Sequence, residues 1–328
     1  MHLEVHMQRF VFIIAVTVHL LTAGASQAQQ TDTTYFAVKS GTQQKYGLDP
    51  SKTLTARVTK TPPDVLSKFR EAGMSPTEHV LTDAEREKIA TAFVLLPPLH
   101  QRVLKERLKS ISFLDNMPNT ALTSTLNVDE RYSLYHITFR AGILNETVSQ
   151  WLTWKENTGF DTTHSTIRIR VEGGLLNALV YVLLHETTHV VDAALGIAGK
   201  LEGKLLEPST AADFAAGIWE GRNIVTPTLR DTLLQRIVYR TGKPLPVNEA
   251  EAVYTALQKT PFVSLYGSCA RSEDLAEYVA VYHLTHRLKQ PFTIIVTKDS
   301  KKLLEYKPMQ SAIVKGRIEQ MRYFYRGS

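Results

Sequence analysis

Residues 175–192 of the chain read LLNALVYVLLHETTHVVD. The apolar residues of this stretch cover nearly every side of a 3.6-residue period, which predicts a buried helix. His185 and His189 are four positions apart, so both imidazoles lie on one helical face and can reach the same metal ion. Glu186 lies about 100° around the helix from His185 and can reach a metal-bound water without being a ligand. The stretch therefore predicts half of a zinc hydrolase site with its general base; the alternative is a pair of core histidines satisfied within the protein.

The first 28 residues have the pattern of a secretory signal. Arg9 gives a positively charged start, and residues 10–21 are apolar except for Thr17 and His19. Small residues follow this run, and we expect cleavage after Ala28. Because the run is shorter than the roughly 20 residues of a membrane-spanning helix, we expect an exported protein, periplasmic or secreted, without a stable membrane span. A retained N-terminal anchor is the alternative.

Charge and cysteine content narrow the possible partners. The chain has 38 Lys and Arg residues against 32 Asp and Glu residues, a net charge of +6, and the basic residues form no concentrated block. Nucleic-acid binding is therefore not indicated. Cys269 is the only cysteine, so the core must hold the exported protein together. We expect Cys269 to be a small buried filler, with a nucleophile as the alternative; the oligomeric state is not indicated.

Residues 29–110 are predicted to form a polar lead-in followed by a small helical subdomain. Thr82-Asp83-Ala84-Glu85 is a capping-box pattern that opens a helix. Pro97-Pro98 breaks it, and a second helix follows over residues 99–108. We expect the main domain to occupy residues 111–328, with a helical insertion at about 197–260. Further helices are predicted over residues 146–155, with Trp151 and Trp154 on one face, over 229–239, and over 313–325 as a closing amphipathic helix.

Two segments of the main domain alternate polar and apolar residues in the manner of strands, residues 133–139 and 165–171. In the second, the apolar residues would face the core, with Arg168 and Arg170 outward. This strand precedes the helix of His185, so its free edge could bind an extended peptide as an additional strand. The alternative is that the two arginines only solubilise an edge strand.

A catalytic zinc site needs a third protein ligand and an open position for water. The candidate segment is SLYGSCARSEDLAEYVAVYH, residues 264–283. Ser272 is predicted to cap a helix on which Glu273 and Glu277 share one face. One carboxylate can bind zinc while the other holds the second ring nitrogen of a ligand histidine. Alternatively, both acids are solvated residues at the start of the helix.

The combined pattern resembles the gluzincin-type zinc metallopeptidases, and within them the anthrax-lethal-factor-like metallopeptidase domain. Asp192 follows the second histidine by three residues, Tyr266-Gly267 stands seven residues before Glu273, and residues 273–277 match an E-x-x-A-E helix. The resemblance covers about residues 167–189 and 264–284. The segment between Asp192 and Tyr266 is longer than in the compact family pattern, which leaves the substrate preference open.

The resemblance implies an α+β, zincin-like fold with a small mixed sheet, an edge strand, an HExxH helix and a Glu-bearing helix. It implies one catalytic zinc ion bound by His185, His189 and Glu273, with Glu277 as the alternative third ligand. It further implies Glu186 as general base, Tyr266 as hydrogen-bond donor to the oxyanion, and Glu277 and Asp192 as residues that support the ligands.

Together these features predict an exported zinc metallopeptidase that hydrolyses peptide or protein substrates. Zinc would lower the pKa of its bound water, and Glu186 would take the proton of that water and pass it to the leaving amine. Three alternatives stay open: a zincin-like binding protein of the cell envelope with weak turnover, an amidase acting on cell-wall peptides, and a helical protein in which the motif arises by chance.

Overall fold

The computed structural model describes residues 45–49, 51–129, 132–199, 214–239 and 242–326. The predicted signal sequence and the middle of the predicted insertion, residues 200–213, lie outside these ranges. Within the described ranges, no helix is both long and apolar enough to cross a membrane.

Runs of helices and runs of strands follow one another along the chain, which confirms the predicted α+β class. The helices are α1 (Pro63–Glu71), α2 (Asp83–Val94), α3 (Pro98–Arg107), α4 (Val148–Asn157), α5 (Ala178–Leu195), α6 (Thr232–Gln235), α7 (Ala250–Leu257), α8 (Arg271–Tyr282), α9 (Ala312–Lys315) and α10 (Arg322–Tyr325). The strands are β1 (Thr77–Glu78), β2 (Leu108–Asp115), β3 (Ala121–Asp129), β4 (Tyr132–Arg140), β5 (Phe160–Asp161), β6 (Ile167–Glu172), β7 (Leu245–Pro246), β8 (Thr293–Lys298) and β9 (Lys301–Tyr306).

The largest sheet is a mixed one with the strand order β1-β2-β4-β3. Strand β2 runs parallel to β4, whereas β1 and β3 are antiparallel to their neighbours. Among the strands that the structure describes, β3 pairs only with β4. It is therefore an edge strand with one unpaired side. A separate antiparallel sheet has the order β6-β8-β9, and β5 and β7 form a short parallel pair.

Helix α5 carries the histidine motif through the middle of the protein. The Asn177 side chain accepts the N–H of Leu179 and caps its start, while Gly196 ends the helix with a φ of 67°, a left-handed conformation that suits glycine. Twelve of its 18 residues are buried, as the apolar sequence predicts. The helix packs against α2, α3, α4 and α8, so the motif lies between the N-terminal and C-terminal parts of the chain.

Helices α2 and α3 share a core with the rest of the protein, whereas Val65 and Phe69 of α1 belong to a separate small cluster. One continuous cluster of buried apolar side chains extends from Leu54 to Phe324 and includes Phe93 of α2 and Leu104 of α3. Helices α2 and α3 appear at the predicted positions, and Thr82 and Glu85 form the predicted capping box. The predicted boundary at residue 110, however, falls inside β2.

Several local predictions were wrong. Residues 229–239 form only the single turn α6, capped by Asp231, because the β-branched Ile237 and Val238 follow the turn without extending it. Residues 313–325 form short pieces rather than one helix. Gly316 follows α9, and the next residue, Arg317, turns inward to pair with Asp274.

The start of α8 and one face of α4 also differ from the sequence prediction. Ala270, not Ser272, is the residue that precedes the first turn of α8, and no side chain caps this helix. On α4, Trp151 is 5% exposed and donates to Thr120, whereas Trp154 is 49% exposed. Although they are only three residues apart, Trp151 lies in the core and Trp154 faces solvent.

Candidate metal centre

Helices α5 and α8 bring three potential metal ligands together. His185 Nε2 lies 3.2 Å from His189 Nε2 and 3.1 Å from Glu273 Oε2. His189 Nε2 lies 3.4 Å from the same carboxylate oxygen. The side chains of His189 and Glu273 are 24% and 22% exposed, against 7% for His185, so the cluster is open to solvent on one side.

These distances suit one small ion at the centre of the three atoms. Zinc binds imidazole nitrogen and carboxylate oxygen at about 2.0–2.2 Å, and tetrahedral ligands at that radius stand about 3.3–3.5 Å apart. The three observed separations, 3.1, 3.2 and 3.4 Å, are close to this value. Two histidines and one carboxylate with an open side are also the donor set of catalytic zinc. The residues therefore fit a zinc ion.

The electrostatics of the cluster favour a positive charge at its centre. Burial lowers the pKa of His185, but the neighbouring carboxylates of Glu273 and Glu277 outweigh this effect and raise the pKa to about 9. Burial likewise opposes the charged form of Glu273, and His189 and His185 nevertheless hold its pKa well below the ordinary range. The raised pKa keeps the His185 ring protonated at neutral pH in the metal-free protein, and binding of a metal ion would require that proton to leave.

Glu277 lies behind His185, on the side of the ring away from the cluster. Its Oε1 is 2.9 Å from His185 Nδ1, although the ring is turned so that the N–H is not aligned with this oxygen. Its Oε2 accepts a 2.7 Å hydrogen bond from Ser264. Glu277 thus contacts His185 Nδ1 and does not belong to the cluster of His185, His189 and Glu273; whether it supports a ligand stays a prediction.

Lys155 of α4 is a site residue that sequence reasoning missed. Its Nζ lies 2.6 Å from Glu277 Oε1 and 4.4 Å from the centre of the Tyr266 ring. The Lys155 charge and the contact with His185 overcome burial and lower the pKa of Glu277 to about 2. Lysines on amphipathic helices usually face solvent, and the sequence carries no signal that distinguishes a buried one.

The Glu186 side chain points away from Glu277 and Lys155 and towards strand β3. Its Oε2 accepts a 2.7 Å hydrogen bond from the hydroxyl of Thr123. Helix α5 and the edge strand of the main sheet therefore meet at this carboxylate. Thr123 was not identified from the sequence, because a threonine in a strand gives no sign of what it contacts.

Tyr266 lies beside the cluster in a 3-10 turn that directly precedes α8. Its ring centre is 5.9 Å from that of His185. Tyr239, from the segment predicted as an insertion, packs edge-on against the Tyr266 ring at 5.1 Å. The position of Tyr266 next to a candidate ligand agrees with the role that the resemblance implies, and the oxyanion role itself stays a prediction.

Asp192 and Cys269 lie near the cluster, and Cys269, expected to be buried, is partly exposed. Asp192 Oδ1 accepts a 2.6 Å hydrogen bond from the Ala198 N–H and thereby fixes the turn after α5. Burial raises the pKa of Asp192, while the charges of His189 and Arg271 act in the opposite direction. Burial also raises the pKa of the Cys269 thiol to about 12. The thiol stays protonated at neutral pH, which does not favour a nucleophilic role.

Strand β6 is not the free edge that the sequence predicted. Helix α4 covers its outer side: the Thr153 hydroxyl accepts the N–H of Val171 at 2.9 Å, and the Asn157 side chain donates to Ile169 O at 2.8 Å. Arg168 and Arg170 do face solvent, as expected. Strand β6 therefore does not offer the free edge on which a peptide could add, and the unpaired strand edge beside the site belongs to β3.

Comparisons with known proteins give little further information. No family model matches the chain, and no curated protein matches it. A solved structure of a protein from Bacteroides caccae ATCC 43185, proposed to be a zinc-binding metallo-peptidase, is similar to it with a TM-score of 0.34 and 13% sequence identity. The match covers 91% of this chain and 87% of the other. This likeness is too distant to carry an argument about fold or activity.

Proposed function

We propose that this protein is a zinc-dependent peptidase whose metal ion is bound by His185, His189 and Glu273. The convergence of three ligand atoms at separations of 3.1–3.4 Å carries this proposal. A zinc ion bound there would supply Lewis-acid chemistry, lowering the pKa of water and polarising a carbonyl. Export from the cell, which the N-terminal sequence predicts, is part of the proposal.

Glu186 would be the general base. It is next to a ligand in sequence but is absent from the cluster of three ligand atoms, and its carboxylate is half-exposed. A carboxylate in this place can accept the proton of the attacking water and deliver it to the leaving amine. Tyr266, beside His185, would donate its hydroxyl to the developing oxyanion.

The unpaired edge of β3 would bind the substrate backbone. An extended peptide can add to such an edge through main-chain hydrogen bonds, and Thr123 places this edge in contact with Glu186. A scissile bond held along β3 would then lie near the base and the metal. Helix α4 covers the outer side of β6, which removes the other candidate edge.

Peptide-library cleavage by the wild-type protein and by Glu186→Gln tests this function, with bound zinc measured on both samples. We expect Glu186→Gln to retain zinc, because Glu186 is not a ligand, and to lose turnover by about 10²–10⁴-fold. Absence of cleavage by a zinc-loaded wild-type protein would point instead to a binding protein. Cleavage confined to cell-wall peptides would identify an amidase.

A further inference from the structure

The contact between Thr123 and Glu186 joins two separate parts of the fold. Thr123 is the third residue of β3, opposite Ile137 on β4, and Glu186 lies on α5. The Thr123 hydroxyl donates to Glu186 Oε2 at 2.7 Å. Thr123 is only partly exposed, so the edge strand and the base of the proposed reaction meet through a hydrogen bond that is partly shielded from water.

A hydrogen bond of this kind restricts the rotamers of a glutamate, which favours its action as a general base. Its carboxylate has several rotamers, and only some direct an oxygen to the attacking water. Threonine is a stiff donor because its side chain is branched at Cβ and its backbone is held in a strand. Among the residues that the structure describes, Glu186 Oε1 accepts no hydrogen bond, so this oxygen is available to take a proton while Oε2 is held.

We propose that Thr123 is a positioning residue for the general base: its hydroxyl holds Oε2 of Glu186 and thereby directs Oε1 to the reacting water. The inference rests on the proposed function. It also links substrate to base, because the strand that carries Thr123 is the one whose free edge would bind the peptide. Oε2 remains an acceptor when the proton is on Oε1, so the restraint persists through the proton transfer.

Substitution of Thr123 tests this directly. Thr123→Val keeps the shape and the strand preference of the side chain and removes the hydroxyl. Thr123→Ser restores the hydroxyl, and Thr123→Ala removes it without adding a methyl group, in case valine is not accommodated. Thr125→Val is the matched control, because Thr125 lies two residues along on the same face of β3 and is exposed to solvent.

We expect Thr123→Val and Thr123→Ala to lower kcat by about tenfold or more, with KM changed by less than about twofold. Thr123→Ser should recover most of the lost kcat, and Thr125→Val should match the wild type. Bound zinc should be equal in all four variants. A peptide hydroxamate, which shares its proton with the base, should bind Thr123→Val about fivefold more weakly by calorimetry.

The proposal would be overturned by unchanged kcat and unchanged hydroxamate affinity in both Thr123→Val and Thr123→Ala. A rise in KM alone would assign Thr123 to substrate binding, and loss of zinc would assign it to the structure of the site; either result contradicts the positioning role. A wild-type protein that binds zinc and cleaves no peptide would contradict the proposed function instead, and hydroxamate affinity would then decide on Thr123 separately.

Discussion

Lys155 and Glu277 form a buried ion pair directly behind the candidate metal centre, with Nζ 2.6 Å from Oε1 and side chains that are 9% and 0% exposed. The same carboxylate oxygen lies 2.9 Å from His185 Nδ1. A helix outside the histidine motif thus supplies the charge that keeps Glu277 ionised, and Glu277 in turn lies against Nδ1 of the first candidate ligand.

Replacing Lys155 should therefore lower the free energy of unfolding. Lys155→Met removes one of the two cationic partners of a fully buried carboxylate and leaves only His185 beside it, and we expect the free energy of unfolding of the metal-free protein to fall by about 3–5 kcal/mol. The exposed pair Arg170–Glu172, 62% and 42% exposed, provides the control. Arg170→Met should change the unfolding free energy by less than about 1 kcal/mol. Denaturant unfolding of both variants measures this, and equal effects would contradict the importance of the buried pair.

The roles of the two glutamates on α8 can be separated by their effect on zinc. Glu273→Ala removes an atom from the ligand cluster, so we expect zinc to be lost at neutral pH. Glu277→Ala removes only the partner of His185 Nδ1, and such changes typically weaken metal affinity by about 10–100-fold. Competition with a chelator of known affinity gives both dissociation constants. Stronger loss in Glu277→Ala would make Glu277 the third ligand.

The stability of the metal-free protein should fall at alkaline pH. The folded-state pKa of His185 is about 9, above its ordinary 6.5, so the folded protein binds this proton more tightly than the unfolded chain does. The resulting stabilisation is fully present below pH 6.5 and is lost as the pH rises through about 9. Zinc replaces the proton. We therefore expect the Tm of the metal-free protein to decline over this pH interval, and the Tm of the zinc-loaded protein to stay constant.

Thermal melts at a series of pH values, with zinc and with a chelator, check this difference. A metal-free protein whose Tm is constant from pH 6.5 to 9 would show that His185 is not held in its protonated form.

Tyr266 can be tested without disturbing its ring contacts. Tyr266→Phe keeps the packing against Tyr239 and Lys155 and removes only the hydroxyl. Loss of one oxyanion donor typically lowers kcat by about 10²–10³-fold, and we expect zinc content to be unchanged. Tyr239→Phe removes a neighbouring hydroxyl and keeps the ring contact, so its kcat should stay close to that of the wild type. Equal activity of Tyr266→Phe and the wild type would exclude the oxyanion role.

The sequence predicted the parts of the site that depend on local spacing. His185 and His189 lie on one helical face because of a four-residue spacing, and Glu273 lies one turn before Glu277 for the same reason. Helix α5 was predictable because its apolar residues and its glycine end coincide in sequence. The two glutamates could not be distinguished by spacing, since their roles depend on which side of His185 each one reaches.

The parts that were missed depend on contacts between distant segments. Lys155 and Glu277 are 122 residues apart, and Thr123 and Glu186 are 63 apart. Asp274 is another example: it is fully buried between Arg317, at 2.7 and 2.9 Å, and the indole of Trp219. Each of these polar residues has the sequence pattern of a solvent-exposed one, and only the tertiary packing gives it a partner.

The free strand edge beside the candidate site was predicted on β6 rather than on β3 for a similar reason. Alternation along β6 predicted an edge strand correctly, but the polar residues of α4 that cover its backbone, Thr153 and Asn157, belong to a helix whose packing the pattern does not specify. Strand β3 has no distinguishing pattern of its own, and its position beside Glu186 follows from the order of the strands in the main sheet.

X-ray absorption at the zinc edge of the zinc-loaded protein tests the central claim most directly. If His185, His189 and Glu273 bind a catalytic zinc ion, the spectrum should show two imidazole rings and two oxygen ligands at about 2.0–2.2 Å, the second oxygen from water. A sulfur ligand, a shell of oxygen atoms alone, or a protein that retains no zinc would contradict the claim.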